Sequence, residues 1–266
     1  MKKYATFLIS ALSVICAAQL RADDKPGDIT KVGDTSYLLV RHFTTAAQNE
    51  TFQRNLSIMQ RDAKAIALLK SMIEKEADET KKADLQNKLS QIEEAFKTND
   101  ATMQKNYAFA SNRSYKFVFI KSNICVPLTK EELSTLRGEN GEELDVLKIS
   151  KKNDASLYKV AEISGIPENE ELRRLMGFAV ARKADIEKLR AEIAKTTDAE
   201  QQLDIMNRLS AAEKAYQEAE ANLRKKYGIQ EGRNYVVEVE DSKLYLILTP
   251  EEVMKIDLEK QASKAK

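Results

Sequence analysis

The stretch RNYVVEVEDSKLYLILTPEEV, residues 233–253, repeats a pattern already present at residues 113–133, RSYKFVFIKSNICVPLTKEEL. Arg, Tyr, Ser and the phrase Leu-Thr-x-Glu-Glu recur at matching places, 120 positions apart. In the later copy Tyr235, Val237 and Val239 alternate with Val236, Glu238 and Glu240, which is the period of a half-buried strand. The polar run Asp241-Ser242-Lys243 then reads as a turn into a second strand, Leu244 to Leu248, so a β-hairpin is expected. The earlier copy carries Phe117, Phe119, Ile120 and Ile124, is apolar on both faces, and is expected to be the more covered. The closing phrase of each copy reads as a helix start. Thr129 and Thr249 fit the N-cap, Glu132 and Glu252 complete a capping box, and Pro250 takes the first helical position.

The repeat extends well beyond these two stretches. A shift of 120 aligns residues 29–136 with 149–256 without a gap, and 29 of the 108 pairs are identical. So many gapless matches read as a tandem duplication, jointed near Arg137 to Glu143, where Gly138 and Gly141 interrupt the pattern. Each unit opens with a strand, SYLLVRHF (36–43) or SLYKVAEI (156–163), and in the second the preceding LDVLKI is a candidate pairing partner. A long helix comes next, with Asn49 or Asn169 as the expected cap and Glu50 or Glu170 set four residues before Arg54 or Arg174.

Two helices per unit then share a heptad seam. Leu56, Met59, Ala63, Ile66 and Ile73 face Leu85, Leu89, Ile92, Phe96 and Met103. In the second unit the seam is Met176, Ala179, Ile186 and Ile193 against Ile205, Leu209, Ala212, Tyr216 and Leu223. The breaks KEADETKK and KTTDAEQQ are short and polar, and Asp78 and Asp198 are placed to cap the returning helix. Short links make the helices antiparallel, giving arms of about 40 Å over roughly residues 49–107 and 169–227. The fold expected is α+β, in two tandem repeats over 23–140 and 141–266. Each is a small antiparallel strand body bearing a long helical, coiled-coil hairpin.

Residues 1–22 read as a signal peptide: Lys2 and Lys3, then a short apolar run from Tyr4 to Ala18, with cleavage near Ala18 or Ala22. A periplasmic or secreted location is the expectation, with no integral membrane segment after its removal. That removal leaves 40 basic against 42 acidic side chains, a balance that offers no electrostatic footprint for nucleic acid. Outside the signal Cys125 is the single cysteine, expected as a buried apolar thiol, so an internal disulfide is excluded and only pairing with another chain stays open.

Chemistry has no visible carrier. His42 is the one histidine, its counterpart is Glu162, and it has no spaced companion for a metal. No nucleophile elbow, dinucleotide-binding glycine pattern or phosphate loop occurs. Catalytic, cofactor-binding and metal residues are therefore assigned to none, and an enzyme is not expected. The recurring Arg113/Arg233 and Tyr115/Tyr235 fit a structural tie between the second helix and the sheet better than a ligand site.

Where the copies differ is more suggestive. Beside its seam the first arm carries Ile58, Leu68 and Met72, where the second has Phe178, Lys188 and Glu192. An extra apolar stripe needs a cover, whether the rest of the monomer, another subunit or a client, and these three residues are the candidate protein-binding face.

The order of signal peptide, strand, long helical hairpin, strand pair and short helix resembles the OmpH/Skp-like periplasmic chaperones. That resemblance implies small β bodies that assemble into an oligomer and arms that enclose unfolded outer-membrane proteins. It rests on element order, so it carries over no binding residues. The family's arms are strongly basic and its chains typically single-copy, whereas this chain is near neutral and duplicated. The function expected is the holding of client or partner proteins of the envelope without catalysis or cofactor. The alternative is a structural or assembly subunit that uses its hairpins to form a homo-oligomer or a fixed complex.

Overall fold

The computed structural model describes residues 20, 24–138, 141–152, 154–229 and 233–264. The leader assigned to residues 1–22, with Ala18 and Ala22, lies outside the described residues apart from Leu20. The chain is α+β. Its elements run β1 (Ile29–Val32), β2 (Thr35–Phe43), α1 (Ala46–Lys75), α2 (Glu79–Tyr107), β3 (Tyr115–Pro127), α3 (Lys130–Thr135), β4 (Ile149–Lys152), β5 (Ala155–Ser164), α4 (Ile166–Ile193), α5 (Ala199–Tyr227), β6 (Val236–Leu248) and α6 (Pro250–Lys264). The six strands form one antiparallel sheet in the order β1-β2-β6-β3-β5-β4.

The residues gather into two compact units. One holds residues 1–119 with 239–266, and the other residues 120–238. These boundaries fall inside β3 and β6, so each unit combines residues from both sequence repeats.

This overturns the expected hairpins. β3 and β6 are each a single 13-residue strand. Asp241-Ser242-Lys243 is not a turn: Ser242 and Lys243 are fully buried in mid-strand. Their polarity misleads because partners elsewhere in the chain satisfy it. Ser242 donates its hydroxyl to Asn49 Oδ1, and Lys243 Nζ donates to the Asp24 carbonyl at 2.6 Å. A buried polar group with such partners no longer marks a loop.

In the first unit β2 pairs with β6, His42 opposite Lys243 and Tyr37 opposite Ile247. In the second, β3 pairs with β5, Asn123 opposite Glu162 and Pro127 opposite Leu157. Each ladder shifts register once, so that Val40 and Val160 stand as the extra residue of a bulge. Under the first sheet segment lies a core of Phe43, Phe52, Met59, Met103, Phe109 and Leu244. Phe52 sits within ring contact of Phe43, Tyr107, Phe109 and Phe117, at centroid distances of 4.9 to 5.9 Å. The second core is more aliphatic: Ile124, Ile163, Leu172, Ala179, Ala219, Leu223 and Tyr227.

The asparagines expected as helix caps do something else. Helix α1 is capped by Thr45, whose side chain accepts from the Gln48 N–H, and α4 begins after Gly165 at φ 97°. Asn49 and Asn169 lie one turn inside and are 1 % exposed. Asn49 Nδ2 donates to the carbonyls of Thr45 (3.0 Å) and Glu240 (3.2 Å). Asn169 Nδ2 donates to those of Ile120, Ile163 and Gly165, and its Oδ1 accepts from the Ser122 hydroxyl. Each amide therefore rivets the base of an arm to a passing strand. The returning helices match expectation: Asp78 accepts from the Thr80 and Lys81 N–H groups, and Asp198 from that of Gln201.

The phrase Leu-Thr-x-Glu-Glu does start helices. Thr129 with Glu132, and Thr249 with Glu252, form reciprocal capping boxes. Each glutamate has a second task. Arg233 forks onto Glu132 at 2.8 and 3.2 Å and also donates to the Pro127 carbonyl, while Arg113 pairs with Glu252 at 2.7 Å. The arginine of one copy thus always clamps the capping box of the other.

Burial alone would raise the Glu132 carboxyl, but hydrogen bonds from Thr129 and Arg233 outweigh it and hold the group below the usual glutamate range. At Glu252 the Thr249 backbone hydrogen bond, opposed by some burial and helped by Arg113, has the same net direction. A carboxyl lowered on folding stabilises the fold above its unfolded pKa, and that contribution disappears as pH falls through the folded value. Unfolding midpoints should therefore drop on acidification below about pH 4.5, the ordinary glutamate value. Glu132→Gln should flatten that slope; an unchanged slope in the variant would show that the clamp does not contribute.

Candidate protein-binding face

Each arm is two helices joined by a short link, α1 packed on α2 and α4 on α5. With 30 residues at about 1.5 Å rise, α1 is about 45 Å long. The seams lie where the heptads put them. Met59, Ile66 and Met103 are buried in the first arm, and Ala179, Ile186, Ile205, Ala212 and Leu223 in the second.

Sealing differs between the arms. Between residues 67 and 102 the first arm has no buried side chain; Ile73, Leu85, Leu89 and Ile92 are only half-buried. At the corresponding places the second arm buries Leu189, Ile205 and Ala212, which form one core with Ile186 and are backed by Ile193, Leu209 and Tyr216. The seam of the first arm is also interrupted by a charge. Asp62 is 8 % exposed, pairs with Arg61 at 3.3 Å and accepts from Asn99 across the seam at 3.5 Å. Its counterparts are Arg182 and the small, buried Ala219. A polar pair in a helical seam fixes register at the expense of apolar packing.

The candidate residues share one side of α1 and differ in exposure. Leu68 is 62 % and Met72 45 % exposed, and they stand one turn apart on one face of α1. Ile58 is half-buried and lies about 15 Å back along the axis from Leu68, two heptads before Met72 and so on the same side of the helix. The matching pair on α4 is Lys188 and Glu192, whose charged ends stand 3.9 Å apart. An i,i+4 apolar pair on one arm thus replaces an i,i+4 ion pair on the other.

Other residues outside the candidate face also expose apolar surface. On the second arm Val180 is 68 %, Leu203 61 % and Met206 55 % exposed, opposite Gln60, Ala83 and Gln86 in the repeat. That arm is not bare. The signal was readable in the α5 sequence, where Leu203 and Met206 are three residues apart and off the seam. Phe178, the partner of Ile58, is 41 % exposed and carries the Arg182 guanidinium 5.0 Å from its ring centre.

His42 and Cys125 are engaged in structure. His42 Nε2 lies 2.8 Å from Asp241 Oδ1 on the strand edge, and the corresponding pair in the second unit is Glu162 with Lys121 at 3.4 Å. Cys125 is 2 % exposed beside Glu238 at 3.6 Å. Burial, reinforced by that carboxylate, pushes its thiol up to about 12, so it stays protonated and unreactive at neutral pH. Among the described residues no group of three or more His, Cys, Asp or Glu side chains could hold a metal ion. No described helix is long and apolar enough to cross a membrane. No family model, curated protein or solved structure matches the chain.

Proposed function

We propose that this chain is a non-enzymatic protein of the cell envelope that holds client or partner proteins with its helical arms. In this reading it arose by duplication of one strand-body-and-arm unit, and its N-terminal 22 residues are a cleaved export signal. The observation that carries the reading is the outer part of the first arm, residues 67–102. There a two-helix seam lacks any buried side chain while Leu68 and Met72 face outward. A helical pair sealed so weakly gains stability when an apolar partner covers it. The charged remainder of the surface keeps such an arm soluble when empty.

In the client-holding reading, the mature chain delays aggregation of an unfolded outer-membrane-type β-barrel protein at near-stoichiometric ratio, followed by light scattering. Met72→Glu, at a 45 % exposed position, should weaken that protection several-fold with the melting temperature unchanged. Loss of a native oligomer in Met72→Glu, with protection intact, would instead establish the assembly reading. No protection by the unmodified chain at any ratio would end the client-holding one.

A further inference from the structure

We propose that the two closing strands are exchanged between the sequence repeats by design, through a forbidden turn and an address residue, Asp24. The alternative closure is easy to define. In the first unit the place beside β2 is taken by residues 242–248 of β6, and the equivalent residues of the first repeat are 122–128. For those to take that place, the chain would have to reverse between Phe119, the last β3 residue of the first unit, and Ser122, the counterpart of Ser242. That leaves Ile120 and Lys121 as a two-residue hairpin loop, and Glu240 and Asp241 in the other repeat.

Two-residue hairpin loops need positive φ, hence Gly, Asn or Asp. Ile120 is β-branched and is among the worst residues for that conformation. Neither loop contains glycine or asparagine, and the one aspartate, Asp241, follows Glu240, so neither loop has permissive residues at both positions. The strand therefore runs straight on, and its end becomes available to the other repeat. Hinge loops too short to turn are a general cause of exchanged elements.

Straight strands alone would not say which end belongs where; side chains do. Lys243, fully buried, donates to the Asp24 carbonyl, and Tyr245, also fully buried, donates its hydroxyl to Asp24 Oδ2 at 3.0 Å. Thr30 adds a second hydrogen bond to the same carboxylate at 3.2 Å. At the position of Asp24 the second repeat has Leu144, which is buried. Strand β6 closed onto its own repeat would set the Lys243 ammonium and the Tyr245 hydroxyl against a leucine, a costly desolvation without a partner. The first repeat's closing strand carries Asn123 and Cys125 at those places, so it brings no ammonium to be buried. The charge pairs agree with this. Asp241 meets His42 and Lys121 meets Glu162, whereas self-closure would bring Asp241 toward Glu162.

The test uses the full chain with both natural cysteines replaced by Ser, new cysteines at Ser36, Leu128 and Leu248, and a protease site inserted after Gly141. Ser36 is the register partner of Leu248, while Leu128 donates its N–H to Ser156, the counterpart of Ser36. After oxidation and cleavage, a 36–248 disulfide keeps the two fragments joined on a non-reducing gel, and a 36–128 disulfide does not. Joined fragments should exceed separate ones at least tenfold. Placing Asn-Gly at both 120–121 and 240–241 should reverse that ratio, and Lys243→Asn with Tyr245→Phe should lower it about fivefold. Mostly separate fragments from the unaltered strands would overturn the exchange, as would disulfide-linked dimers of uncut chains. A folded Asn-Gly chain, verified by circular dichroism, that still gives joined fragments would overturn the role of the turn. Should that chain not fold, the Lys243/Tyr245 pair decides alone, and an unchanged ratio there overturns the address.

Discussion

Asn169→Ala should lower the stability of the chain by about 3 kcal/mol, read as a shift in urea midpoint followed by circular dichroism. The side chain is 1 % exposed and makes four hydrogen bonds, donating to the Ile120, Ile163 and Gly165 carbonyls and accepting from the Ser122 hydroxyl. Truncation strands the buried hydroxyl and loosens the first turn of α4 from the strands it bridges. Neutral-pair hydrogen bonds contribute about 1 kcal/mol each, and a stranded buried group costs about 1–3 kcal/mol. Asn169→Asp is the sharper variant. It preserves shape but replaces two donors by a carboxylate facing three carbonyl oxygens, and should cost at least as much at neutral pH. If the asparagine served only as a helix cap, the aspartate would be tolerated or even preferred. A stable Asn169→Asp chain would therefore sink the bridging role, and the same holds at Asn49 with Glu240 and Ser242.

Lys243→Ala should cost about 3–4 kcal/mol, whereas Lys243→Met should fall within about 1 kcal/mol of the native chain. Lys243 is fully buried, with its amine on the Asp24 carbonyl. Alanine removes both the donor and most of the packed stem, leaving a cavity between β6 and the segment at Asp24. Methionine refills most of that volume, and exchanging a buried charge for an apolar side chain is often close to neutral. Equal, large losses for both variants would mean that the hydrogen bond dominates; equal, small losses would mean that the site collapses freely.

Much of this fold was legible in the residues because it rests on local rules. Strand alternation, heptad spacing, Asp78 and Asp198 as caps, and the capping boxes each depend on neighbours within a few positions. Polarity settled at long range was the part that misled. Asp241-Ser242-Lys243 looked like a turn because nothing nearby shows that Asn49 and Asp24 wait some 190 to 220 residues upstream. Asn49 and Asn169 looked like caps for the same reason. The candidate face was legible too. Ile58, Leu68 and Met72 emerge from comparing the copies, and the exposed Leu203 and Met206 were readable from their spacing of three off the α5 seam.

The boundary inside β3 also sets an order of events during synthesis. The unit formed by residues 120–238 is continuous in the chain, so it has all its parts once residue 238 has emerged. The other unit begins at the N-terminus yet lacks β6 and α6 until residues 239–266 emerge. Multidomain chains usually complete their N-terminal part first. Here the first-made residues wait longest, with Phe43 and Phe52 lacking Leu244 above them until the last tenth of the chain is made. The core around Phe43 and Phe52 therefore closes only after the unit of residues 120–238 has all its parts, which orders the two cores in time.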